Sequence, residues 1–103
     1  MSDDELAREV HRLADRIGHW TPSRWAASGA SGVGSRADLV HALVQELADR
    51  AAAAEGQPRR AVPRPEHDAT LVDQVRVLAA DLTAAGGDAT AAARLVNETA
   101  KAL

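Results

Sequence analysis

Apolar residues in the first twenty positions fall at Leu6, Val10, Leu13 and Ile17, which places them on one narrow stripe of an α-helix, and Trp20 continues that stripe. Asp3, Asp4 and Glu5 precede it, where negative charge suits the amino-terminal end of the helix dipole. The pattern predicts a helix over 3–20. Thr21-Pro22 stops it and opens a short helix over 22–28, because proline fits the first helical position and threonine is a good N-cap. Gly29 to Ser35 is a glycine-bearing connection, and Ser35 with Asp38 three residues on has the spacing of a capping box. A helix over 36–54 follows, with Leu39, Val40, Leu43, Val44 and Leu47 on one arc, broadened by Ala48 and Ala51.

From 55 to 67 the chain carries Pro58, Pro63 and Pro65 interleaved with Arg59, Arg60 and Arg64, the composition of an extended linker. Asp68 is the expected N-cap of a helix over 68–85 whose inward face is Leu71, Val72, Val75, Leu78, Ala79 and Leu82. Gly86-Gly87 ends it, and Asp88 opens a last helix over 88–102 with Ala91, Ala92, Leu95, Val96, Thr99 and Leu103 on one side. The short connection predicts that these last two helices pack as an antiparallel hairpin. No segment alternates with period two, so no sheet is expected. The predicted fold is all-α: one domain over 1–103, a small four-helix bundle of two helical halves joined by a Pro/Arg-rich linker, with an extra short helix near 22–28.

Composition sharpens this picture at the core. Of 103 residues, 24 are Ala, against 10 Leu, 9 Val, one Ile and two Trp, with no Phe or Tyr. Alanine removes little apolar area from water when buried, and a domain of this length buries only about 60–70% of its unfolded surface. Self-association or a protein partner is therefore expected. The heavy use of Ala, Arg, Gly and Val fits a high-GC bacterial genome.

Charge excludes several classes. The net charge is −3, so no overall positive field is available to neutralise a phosphate backbone, and nucleic acid is disfavoured as a partner. Without cysteine there is no disulfide framework, thiol nucleophile or zinc ribbon. The opening Met-Ser-Asp-Asp-Glu is acidic where a signal peptide is basic, and no apolar run approaches the roughly 18 residues of a membrane span. A cytoplasmic location with no membrane contact is the expectation.

His19, Trp20, Arg24 and Trp25 form the most distinctive cluster, because both aromatics and two polar side chains fall within seven positions. Two readings fit. With Thr21 as N-cap, Trp20 and Trp25 occupy the N′ and N4 positions of a hydrophobic staple. Trp and Arg are equally the residue types enriched at binding hot spots, so the cluster is a candidate surface for a partner or ligand.

Gly29 to Arg36 resembles a broken phosphate loop. Ser35 stands where a lysine should be and Arg36 where a magnesium-binding Ser or Thr belongs, which removes nucleotide hydrolysis. Backbone amides at the following helix start, helped by Arg36, still offer an anion site. His11, Asp15 and His19 recur at i, i+4 and i+8 but lie opposite the apolar stripe and span ~12 Å, so a solvated polar face is expected and no metal is implied. No catalytic set and no cofactor motif emerges, and His41 and His67 have no identifiable partner. The sequence thus reads as a non-enzymatic helical protein-protein interaction or accessory module, with a small anionic ligand held near His19, Arg24 and Trp25 as the alternative. Val77, well off the inward arc of its helix, extends the apolar surface.

Overall fold

The computed structural model describes residues 2–103, with side chains from Glu5 onward, and contains five helices. These are α1 (Ser2–Ile17), α2 (Pro22–Ala26), α3 (Arg36–Glu55), α4 (Thr70–Ala84) and α5 (Ala89–Ala102). Among the described residues there is no strand, only an isolated antiparallel bridge between Ser28 and Ser35 that closes the glycine loop. The all-α bundle with one additional short helix is the observed architecture.

Three of the helix starts form as the residue types dictate. The Thr21 hydroxyl accepts from the Arg24 amide at 3.3 Å, and Asp88 Oδ1 accepts from the Ala91 amide at 3.0 Å. At α3, the Ser35 hydroxyl accepts from the Asp38 amide at 3.0 Å while Asp38 Oδ2 accepts from the Ser35 amide at 3.0 Å, a complete capping box. Gly56, in the left-handed region at φ 70°, then ends α3 with the Gln57 amide donating back to Ala52 at 2.8 Å.

Two ends differ from expectation. α1 stops at Ile17, short of Trp20, because the residue before Pro22 must be extended, and Thr21 is extended at ψ 162°. A tight turn from the Trp20 amide to the Ile17 carbonyl, 3.2 Å, follows, and Trp20 packs half-buried against the core from beyond the helix end. Asp68 is not the side-chain cap of α4. Its carbonyl accepts from Leu71 at 2.9 Å in a helical entry turn, and its carboxylate faces Arg64 at 3.8 Å.

Inside the bundle α1 packs chiefly on α5 and α3 chiefly on α4, while α4 and α5, though consecutive, scarcely touch. The expected hairpin is thus replaced by two helices that sit diagonally. Gly86 at φ 75° and the Gly87 amide bonded to Leu82 at 2.9 Å wrap the chain over the end of α4, and α5 crosses to α1. Asn97 of α5 donates to Glu9 of α1 at 3.3 Å on that seam. Buried Ala79, Ala89, Ala92 and Ala93 let the helices approach closely around Leu13, Leu43, Leu47, Leu82 and Val96. Every major helix pair joins the two halves, so neither half has a core of its own.

α3 and α4 run in the same direction, since Arg64 and Asp68 at the start of α4 lie beside Asp38 at the start of α3. A parallel pair needs a crossover, and residues 56–69 supply it by running back along α3. The segment is seated there: Gln45 Oε1 accepts from the Val62 amide at 2.8 Å and Gln45 Nε2 donates to Arg60 O at 3.0 Å. It is extended, as its prolines require, yet it lies against the bundle.

Candidate functional site

Trp20 and Trp25 meet edge to face with ring centroids 5.1 Å apart, the staple that their spacing around Thr21 predicts. Trp25 is only 1% exposed, and its Nε1 is buried without an acceptor. Trp20 is half-buried, and the Arg36 guanidinium stacks 5.1 Å from its ring centroid. Arg36 also donates through Nε to Leu103 O at 3.2 Å and through Nη1 to Arg24 O at 3.3 Å. His19 and the Arg24 side chain are exposed beside this stack.

The corner so formed holds the end of α5. The last carbonyls of a helix have no partner within it, and cations there favour the helix dipole. Here Ala100 O accepts from Arg16 at 2.6 Å, Ala102 O from the Ala30 amide at 2.7 Å, and Leu103 O from Arg36. Gly29 makes this approach possible: a Cβ there would meet Leu39 Cδ1 and stand 2.9 Å from Ala102 O. The structure therefore brings Trp20, Trp25 and Arg36 together as one unit, with His19 and Arg24 at its edge.

The amides that open α3 are also engaged. The Arg36 amide donates to Ala27 O at 2.8 Å and the Asp38 amide to the Ser35 hydroxyl at 3.0 Å, while the backbone N–H of Ser35, the Arg64 guanidinium at 2.9 Å and the Ser35 hydroxyl hold the Asp38 carboxyl below the usual carboxylate range. Arg36 points away from these amides toward Trp20 and Leu103. His11 pairs with Asp15 at 3.3 Å on the outer face of α1, and the described residues contain no group of three or more His, Asp or Glu placed to share a metal ion.

A different surface is concave. α1 and α4 are splayed, leaving an open groove of about 520 Å³ floored by Leu6, Val10 and Ala79 and walled by Ala7, Ala80 and Ala84. His11 and Arg76 stand on its lining, each already paired with an aspartate of its own helix, Arg76 with Asp73 at 3.3 Å. Ala80 and Ala84 are exposed, and Val77, one turn earlier on α4, is 58% exposed. Sequence reasoning singled out Val77 but not the groove, because alanines on helix flanks carry no pattern until the neighbouring helix is known.

Comparison with protein-family models, with curated proteins and with solved structures gives no match to this chain. Among the described residues no helix is long and apolar enough to cross a membrane.

Proposed function

We propose that the chain is a non-enzymatic helical interaction module that docks a protein partner, a second copy of itself included, along the groove between α1 and α4. The observation that carries this reading is the open apolar channel floored by Leu6 and Val10 and continued outward by exposed Ala80 and Ala84. Small side chains on both walls admit a helix at close range, and a core rich in alanine gains from added apolar burial. The tryptophan corner contributes indirectly, by fixing the end of α5, the helix against which the groove's α1 wall packs.

The groove also supports a second reading, an amphipathic small anion, because its lining includes Arg76 and His11 and no carboxylate. A photo-crosslinking residue placed at Ala80 separates them. A protein adduct formed from position 80, and not from exposed Ser31 on the opposite loop, supports the docking reading. Equal labelling from both positions counts against it, and thermal stabilisation by anionic amphiphiles, lost in Arg76→Ala, moves the second reading ahead.

A further inference from the structure

The segment over 57–66 is held in a way that is largely indifferent to its side chains. Gln45 reads the main chain twice, at the Val62 amide and the Arg60 carbonyl, and its own Nε2 also donates to Asp49 Oδ1 at 2.9 Å, which fixes the orientation of the Gln45 side chain. One turn earlier His41 Nε2 lies 3.0 Å from Val62 O. His41 and Gln45, one turn apart on α3, thus form a ladder that grips an extended backbone, with Asp49 a further turn on holding Gln45 in place.

Two side chains add selectivity. Val62 sits half-buried between α3 and α4 beside Leu78, and Arg64 pairs with Asp38 at 2.9 Å. Between Gln57 and Pro63 the segment arches over a cavity of about 440 Å³ floored by Ala48, Ala51, Ala52 and Leu78. Glu55 and Asp81 line that cavity, so acidic groups follow the path of a segment carrying Arg59, Arg60 and Arg64. The fit to the helices rests on Val62, the main-chain ladder and one exposed ion pair.

We propose that the α3/α4 face is a binding track for an extended peptide of a partner protein, carrying a small aliphatic residue followed two positions later by arginine, with proline between them. In the resting chain residues 57–66 occupy the track as an internal stand-in. The ladder recognises any extended backbone, the Val62 notch takes a small aliphatic side chain, and the acidic path selects basic segments. Proline favours such a ligand because its extended form is already set. The tethered segment competes at an effective concentration in the millimolar range, so a partner gains access only when it outbids or displaces it. The track and the α1/α4 groove lie on different sides of α4.

A labelled peptide with the sequence of residues 57–68 tests it on the full chain by fluorescence anisotropy. Val62→Asp combined with Arg64→Ser unseats the internal segment, and this chain is expected to bind the peptide at least about tenfold more tightly than the native one. Adding Gln45→Leu should abolish that gain. A released chain with native helical circular dichroism and no gain in binding overturns the proposal, as does one that dimerises in place of binding peptide. Hydrogen exchange on the native chain gives an answer even if the released chain fails to fold. The Val62 amide should exchange by local opening, at least about a hundredfold faster than core amides of α3 such as Val44, and exchange as slow as theirs overturns it.

Discussion

The Arg36 guanidinium lies 5.1 Å from the centroid of the Trp20 ring, and the same side chain donates to Leu103 O at 3.2 Å. One residue thereby ties the α1–α2 turn to the start of α3 and the end of α5. Arg36→Met keeps the aliphatic stem and removes the planar fork, and it should lower unfolding free energy by about 1–3 kcal/mol. Arg36→Lys should recover less than half of that, since an ammonium cannot stack and donate along two directions at once. Urea denaturation checks both, and an unchanged midpoint for Arg36→Met would show that the stack contributes nothing.

Trp25 is a volume requirement more than a polar one. Truncation to Ala should cost about 3–5 kcal/mol, because no neighbouring large side chain can refill the space in so alanine-rich a core. Trp25→Phe should cost far less, about 1–2 kcal/mol, because Nε1 has no acceptor to lose. Equal losses for the two variants would mean that the indole nitrogen does have a partner.

The glycines of the loop should separate sharply. Gly29→Ala drives a methyl into Leu39 and the Ala102 carbonyl, with an expected loss of about 2–3 kcal/mol and a freed end of α5. Gly32→Ala meets no atom within 4 Å and carries only the strain of φ 77°, about 1 kcal/mol. Thermal melts of the pair, with exchange of the Ala30 amide as a local reporter, distinguish clash from strain.

The capping box predicts a pH dependence with a definite sign. Hydrogen bonds from the Ser35 backbone, Arg64 and the Ser35 hydroxyl lower the folded-state pKa of Asp38. A lowered carboxyl pKa adds stability that is fully present above the ordinary aspartate value of about 3.9 and is lost as pH falls from there through the folded value. The difference in urea midpoint between the native chain and Asp38→Asn should therefore be largest near neutrality and shrink on acidification. A difference that grows toward acid pH contradicts the assignment.

Much of this fold is legible in short stretches of sequence. The stripe Leu6–Ile17, the Thr21 cap with its tryptophan staple and the Ser35–Asp38 box are local rules, and each forms where its residues stand. What local rules miss is neighbourhood. Gly86-Gly87 reads as a hairpin turn, yet α4 and α5 sit diagonally, and the groove lies between α1 and α4, two helices far apart in sequence. The roles of Arg36 and His41 escape for a similar reason: both bond to main-chain carbonyls distant in sequence, which carry no side-chain signature. The spacing of His41, Gln45 and Asp49 is the one signal that could have exposed the seat of the linker.

Protein docking along the α1/α4 groove, as proposed, can be seen directly as bound mass. Native mass spectrometry of the tagged chain, enriched gently from its own host beside an Ala80→Glu variant, tests it most directly. Ala80 is an exposed helical position where glutamate is well tolerated, so folding should be unaffected while a charge enters the groove. The account predicts a complex of defined protein mass, or a dimer, for the native chain and a bare monomer for the variant. The same complex carried by both, or a bare monomer for both, would contradict it.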